Sequence, residues 1–284
     1  LCYNFTGAKI GKHAFQGAVS RYLGQHFLQS KVHATMMVDA LGVLSDATVI
    51  EIGAGKGALT SLLCERAREV IVVEKDQVML DALKSAFSHT KNIKLFAGDA
   101  THFDFSLVLQ AHEKALFISN LPFYAGTAIL FNVLRYDKHC LRAVFSFQRE
   151  VAVRISASPG DRSFCALAVL VQMRATVEPL FTIPPGAFHP KPKVWTSVLR
   201  FTPLEEGHEW RAVALTEGFE NFVHAIFRAG RKTLANSLSL GLGITKRDAV
   251  SLLESASIDP TLRASKLSIQ DIVRLWQAWK KVSS

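Results

Sequence analysis

Three glycines in alternation close the run Val49-Ile-Glu-Ile-Gly-Ala-Gly-Lys-Gly-Ala-Leu-Thr60, where an apolar stretch stops abruptly and helix-forming residues begin. The pattern reads as strand, tight turn, helix. Gly53, Gly55 and Gly57 lack Cβ where the backbone must take positive φ or approach a ligand, and the helix that follows offers free N–H groups and a positive dipole end. The Gly-x-Gly-x-Gly spacing differs from the dinucleotide fingerprint Gly-x-Gly-x-x-Gly, so by itself it points only to a nucleotide-like cofactor.

The next strand-like runs repeat one arrangement. Val70-Ile-Val-Val73 ends in Glu74, about twenty residues past the turn, where a carboxylate can accept from both hydroxyls of a ribose. Ile93-Lys-Leu-Phe96 leads to Gly98-Asp99, and Ala115-Leu-Phe-Ile118 leads to Ser119-Asn-Leu-Pro-Phe123. Each run delivers a polar group at its carboxyl end, the edge at which an open doubly wound sheet binds ligands.

Charge places a second partner downstream. The net charge is +9, yet residues 48–134 hold eight Lys/Arg against nine Asp/Glu, whereas residues 135–200 hold ten against four. A basic excess beside a cofactor half suits a polyanion such as nucleic acid, or serves solubility alone. The sequence contains no apolar run of the ~18 residues a bilayer span needs and no secretory pattern at the start. Cys2, Cys64, Cys140 and Cys165 are scattered without a Cys-x-x-Cys pair, which predicts reduced thiols in a cytosol-like compartment, no disulfide framework and no metal site.

In chain order, residues 1–20 read as a loose lead-in. Gln25 and His26 precede a helix expected from Lys31 to Leu44, with Val32, Met36, Met37, Ala40 and Leu41 on its apolar face. His26 is either a loop residue folding over the cofactor or a surface histidine. Helices are expected over Ala58–Arg68, Gln77–Phe87 and 127–135, and a strand over Ala143–Phe147. The runs Ala166–Met173 and Val194–Phe201 are read as completing the sheet, giving seven mostly parallel strands with the last pair antiparallel. Pro184-Pro-Gly-Ala-Phe-His-Pro-Lys-Pro-Lys193 is a stiff loop presenting Phe188, Lys191 and Lys193, or simply a rigid connector. Helical periodicity without strands then covers Glu217–Arg228, Arg231–Ser239, Lys246–Glu254 and Ser268–Val282. Arg228, Arg231 and Lys232 cluster at one turn there, as a solvated helix face or an RNA contact. The expected division is an α/β domain over 1–203 and a small all-helical domain over 204–284.

Asn120-Leu-Pro-Phe123 suggests specific chemistry. The Asn120 side-chain oxygen and the Leu121 carbonyl can both accept hydrogen bonds, Pro122 fixes the turn, and Phe123 presents a flat apolar face. Adenine, with an exocyclic NH2 and a stacking ring, fits that arrangement; an ordinary loop with a satisfied Asn is the plain alternative.

Leu23-Gly-Gln-His-Phe-Leu28, Glu51-Ile-Gly-Ala-Gly-Lys-Gly57, Val73-Glu74, Gly98-Asp-Ala100, Asn120-Leu-Pro-Phe123, Gln148-Arg-Glu-Val-Ala152 and Phe188-His-Pro-Lys-Pro-Lys-Val194 together resemble the ribosomal RNA adenine N6-dimethyltransferase family. The tail, with Phe222–Leu238 and Arg263–Leu267, is similar to the small-subunit, KsgA-type branch; the related macrolide-resistance enzymes usually lack it. The resemblance implies a Rossmann-like class I methyltransferase domain using S-adenosylmethionine. In that reading Gly53 and Gly55 approach the methionine portion, Glu74 the ribose, and Asp99 the cofactor adenine, with His26, Leu28 and Asn120 also at the cofactor. Asn120, Leu121 and Phe123 would hold the target adenine, and Phe188, Lys191, Lys193, Arg228, Arg231 and Lys232 the RNA. His26 stands where the family usually has Asn, and Phe123 where it usually has Tyr. The implied partner is ribosomal RNA or a small-subunit precursor, met by a monomer in the cytoplasm or in an organelle such as the mitochondrion, with no membrane. The alternatives are a large-subunit RNA enzyme conferring resistance and a non-catalytic assembly or organellar transcription factor of the same fold.

Overall fold

The alternation of apolar and helix-forming runs becomes, in a computed structural model, β1 (Phe27–Leu28), α1 (Lys31–Asp39), β2 (Thr48–Ile52), α2 (Thr60–Arg66), β3 (Glu69–Glu74), α3 (Gln77–Ala86), β4 (Ile93–Ala97), β5 (Ala115–Asn120), α4 (Gly126–Leu134) and β6 (Cys140–Gln148). There follow α5 (Arg149–Ile155), α6 (Ala166–Gln172), β7 (Ala175–Ile183), β8 (Phe188–His189), β9 (Thr196–Pro203), α7 (Glu209–Ala214), α8 (Phe219–Phe227), α9 (Leu234–Leu242), α10 (Lys246–Ser255) and α11 (Ile269–Ser283). The structure describes residues 26–109 and 114–283. The readings made on residues 1–25, including Cys2 and the start of the first motif, lie outside the described residues.

Seven strands form one sheet in the order β4-β3-β2-β5-β6-β9-β7, and β1 pairs with β8 in a separate two-stranded ladder. β4, β3, β2, β5 and β6 run parallel, and β9 is antiparallel to β6. β2 is buried along its whole length and β3 along all but its first residue, as near-continuous Val/Ile runs predict for strands covered on both faces. The order reverses between β2 and β5, so the crevice at their carboxyl ends is the topological switch point where such sheets bind ligands.

Two sequence expectations change. Ala166–Met173, read as a strand, is mostly the helix α6, in which Ala166, Ala168, Val169, Leu170 and Val171 are all buried. A helix apolar all round shows no amphipathic period, so pattern alone cannot separate it from a buried strand. The seventh strand is instead Ala175–Ile183, which contains Pro179; it lies at the sheet edge, where a missing N–H is tolerated. The face of α1 is also rotated from expectation: Ala34, Met37 and Val38 are buried, whereas Val32 is 67% and Met36 39% exposed.

The chain divides into two compact units, and the boundary differs from a single cut after residue 203. Among the described residues the sheet unit comprises those up to 152 and 178–203; the second unit takes 153–177 as well as those from 204 onward. α6 explains the difference, because it packs on α8, and Phe164 sets its ring 5.9 Å from that of Phe227. Leu204 N donates to Arg174 O at 2.9 Å, joining the two segments of this unit where the chain returns to it. Within it α8 and α9 cross so closely that a Cβ on Gly241 would stand 2.4 Å from Ala225 O, and Phe219 and Phe222 pack on Trp276 of α11. α7 is a short helix that the periodicity reading passed over.

Candidate active site

A pocket opens at the carboxyl ends of β2, β3 and β5, and its walls come entirely from the sheet unit. Gly53 and Gly55 adopt φ of +66° and +53°, and a Cβ on Gly55 would stand 2.8 Å from the Phe27 ring, so the turn after β2 needs glycine for both conformation and space. Lys56 of the same turn places Nζ 5.1 Å above the Phe27 ring.

Two acidic residues sit at the β2 and β3 tips under strong burial. Glu74, 4% exposed, accepts from Gly55 N at 3.0 Å through Oε2 and from Asp76 N at 2.9 Å through Oε1. Burial raises its pKa despite those amides. Glu51, 1% exposed, has its Oε2 without a hydrogen bond among the described residues, and burial, opposed by the Thr60 hydroxyl and reinforced by the nearby Glu74 charge, pushes it up to about 8. Asp99 behaves oppositely: desolvation raises it, but the Lys75 ammonium at 2.6 Å and the Thr101 amide and hydroxyl at 3.0 and 2.7 Å together bring it to about 2. Asn132 donates to Ala100 O and Phe103 O at 3.0 and 2.9 Å, fixing the loop that carries Asp99.

The other end of the pocket is Asn120-Leu-Pro-Phe123. Ser119 Oγ donates to Ile52 O at 2.6 Å, tying the β5 tip to the β2 tip. Asn120 Nδ2 donates to His26 O at 3.0 Å, and its Oδ1 accepts from Ser146 Oγ at 2.8 Å. Pro122 O accepts from Ala125 N at 3.1 Å and closes the turn; Phe123 lies half-buried with its ring 5.2 Å from that of His26. His26 Nδ1 lies 2.6 Å from Pro190 O.

The structure thus brings His26, Leu28, Gly53, Gly55, Glu74, Asp99, Asn120, Leu121, Phe123 and Phe188 to one pocket. Phe188, expected on a presenting loop, is only 4% exposed and pairs in register with Leu28 in the β1–β8 ladder. Lys191 and Lys193 are exposed on the loop beyond it. Arg228, Arg231 and Lys232 are exposed at the α8–α9 turn of the helical unit, outside the pocket lining. Sequence reasoning passed over Glu51, Lys75 and Ser146. Glu51 left a signal, a lone carboxylate inside an otherwise apolar strand; Ser146 left none short of the β5–β6 register. Among the described residues no His/Cys/Asp/Glu cluster could hold a metal and no helix is long and apolar enough to cross a membrane. Cys64, Cys140 and Cys165 are free, and burial pushes the thiols of Cys64 and Cys140 up to about 12, away from the thiolate form.

Fold and strand-tip pocket define a class I methyltransferase domain joined to a helical unit. Solved structures share that fold: a dimethyladenosine transferase from Plasmodium falciparum (TM-score 0.76, 21% identity, 91% of this chain and 98% of that one) and the 23S rRNA methyltransferase ErmE (TM-score 0.65, 23% identity, 89% and 99%). The chain belongs to the ribosomal RNA adenine dimethylase family, whose model matches residues 18–281. It is 37% identical over 267 residues to the ribosomal RNA small subunit methyltransferase A of Acidobacterium capsulatum, covering 93% of this chain and 92% of the relative. The protein of the same name from Pseudomonas aeruginosa is 34% identical over 92% and 94% of the two chains. The match to ErmE reaches well beyond residue 203, so a helical tail does not by itself separate the small- and large-subunit branches.

Proposed function

We propose that this protein transfers methyl groups from S-adenosylmethionine to N6 of adenine in small-subunit ribosomal RNA, dimethylating two adjacent adenosines during subunit assembly. The observation that carries the reading is the Asn120 amide, fixed from two sides at the β5 tip, in one pocket with Glu74 and Asp99.

The residues present fit the cofactor. Glu74 uses one lone pair of each oxygen on Gly55 N and Asp76 N, leaving others for two ribose hydroxyls. Asp99, held ionised, retains acceptor capacity for an adenine amino group. The buried, unpartnered Glu51 Oε2 is suited to a polar partner brought by the ligand, and Gly53 and Gly55 let the backbone approach the methionine portion. When bound, S-adenosylmethionine supplies an electrophilic sulfonium methyl.

This chain's own residues prepare the acceptor. The N6 lone pair of adenine is delocalised into the ring; Asn120 Oδ1 and the Leu121 carbonyl, accepting its two hydrogens, favour a pyramidal nitrogen whose lone pair is free. No strong base is required, and positioning contributes most of the rate. Phe123 and Phe188 form apolar walls, each stack contributing ~1–3 kcal/mol, for a target that must be unstacked to enter. Lys191, Lys193, Arg228, Arg231 and Lys232 contact RNA phosphates in this reading, and the protein acts as a cytoplasmic monomer on a small-subunit precursor.

Methyl transfer from labelled S-adenosylmethionine to unmethylated small subunits, large subunits and bare ribosomal RNA, followed by nuclease digestion, tests this. Dimethyladenosine confined to the small subunit is expected. Label in the large subunit, or cofactor binding without transfer, overturns the substrate or the activity respectively.

A further inference from the structure

Asn120 must present an oxygen, not an amine, to the incoming N6–H groups, and the orientation of an amide is decided by its neighbours. The His26 carbonyl, 3.0 Å from Asn120 Nδ2, can only accept, so the amine must face it. That leaves Oδ1 towards Ser146 Oγ at 2.8 Å, and the serine hydroxyl must donate. Ser146 lies on β6 directly in register with Asn120 on β5 and is 0% exposed, so no bulk solvent competes for the bond. Its backbone is held on the other side as well, because β6 pairs Ser146 with Val198 of β9.

One lone pair of Oδ1 is therefore engaged, and the second is aimed by that bond. Donation by Ser146 into Oδ1 also polarises the amide and strengthens the Nδ2–H bond to His26 O, so the two anchors reinforce each other. Loss of the His26 ring would leave its backbone carbonyl in place, whereas loss of the Ser146 hydroxyl removes one anchor entirely.

We propose that Ser146 is a positioning residue for methyl transfer: its buried hydroxyl locks the Asn120 amide so that the free lone pair of Oδ1 meets the target N6–H. The inference rests on the reading of Asn120 as the acceptor-adenine ligand. Nothing in the geometry links Ser146 to the cofactor end, since its hydroxyl bonds Asn120 and it is not among the lining residues.

The test compares full-length wild type, Ser146→Ala and Ser146→Cys, the last keeping shape with a weaker donor. Three quantities are measured: single-turnover methylation of unmethylated small subunits, equilibrium S-adenosylmethionine affinity, and melting temperature. Ser146→Ala is expected to slow methylation roughly 10- to 100-fold, as for a small misplacement of a reacting group, with cofactor affinity within about twofold of wild type because Glu74 and Asp99, which Ser146 does not touch, remain in place. Ser146→Cys should fall between the two. A wild-type rate in Ser146→Ala overturns the proposal, as does a loss of cofactor affinity matching the loss of rate. Should Ser146→Ala fail to fold, a fully active Ser146→Cys overturns it and a partly active one with unchanged cofactor affinity supports it. Wild type that methylates no ribosomal adenine would overturn the parent reading with it, whereas active wild type with an equally active Ser146→Ala defeats the role of Ser146 alone.

Discussion

Glu74 takes the amide of Gly55 across 19 residues of chain, whereas Asn120 is held by the His26 carbonyl across 94, and the His26 ring reaches Pro190 across 164. In the proposed reading the cofactor end of the pocket is thus assembled mainly within β2, β3, β4 and their turns, with Glu74 satisfied by the amides of Gly55 and Asp76 and Asp99 by Lys75 and Thr101. The acceptor end is assembled from four separated segments and exists only once β1, β5, β6 and the loop after β8 have met. A site of the first kind is specified by short motifs; one of the second kind is specified by the tertiary fold.

Substitutions at the two ends should separate accordingly. Asn120→Ala is expected to have the largest effect, reducing methyl transfer about 10²–10³-fold, as removal of a transition-state hydrogen-bonding group does, while S-adenosylmethionine affinity stays within roughly several-fold because Glu74 and Asp99 remain. Rapid-quench methylation and equilibrium binding on the same preparation check it, and equal loss of both would erase the division. Glu74→Gln should do the converse. It weakens charge-assisted bonds of about 1.5–3 kcal/mol each, so cofactor affinity should fall roughly 10- to 100-fold with RNA affinity unchanged. A filter-binding titration in which RNA affinity falls equally would show the two ends to be one cooperative unit.

The smallest effect concerns Glu51. Its folded pKa of about 8 exceeds its ordinary value of 4.5, so across that interval the folded protein retains a proton that the unfolded chain has released. Stability from this group is therefore greatest below the lower value and declines as pH rises through about 8, and Glu74, raised in the same direction, adds to the decline. Glu51→Gln should flatten the fall in urea-unfolding free energy measured between about pH 5.5 and about pH 8. An unchanged slope would assign the whole dependence to other groups.

The same division explains what the sequence made legible. The glycine turn, Glu74, Asp99 and Asn120 could be placed because each follows an apolar run, and strand tips are where α/β sheets bind ligands. Ser146 could not, since its partner is fixed by register between β5 and β6, and Phe147 and Phe145 around it read as ordinary strand. The ring of His26 could be assigned to a cofactor loop but not to Phe123 and Pro190, which lie far away in sequence. α6 was misread for a related reason. The burial of five of its seven residues depends in part on α8, later in the chain, which a local window cannot contain.

That interleaving also orders events at the ribosome. The stretch 153–177, which includes the first residues of β7, emerges before β9, yet the α8 partners of its helix α6 follow residue 203. During vectorial synthesis the sheet gains its last strand while the apolar α6 still waits for its companions, so the nascent chain carries a sticky, unshielded helix until the C-terminal segment arrives. Stopping translation after residue 203 would release a polypeptide with a finished sheet and an orphaned piece of the other unit, a natural target for chaperones or proteases.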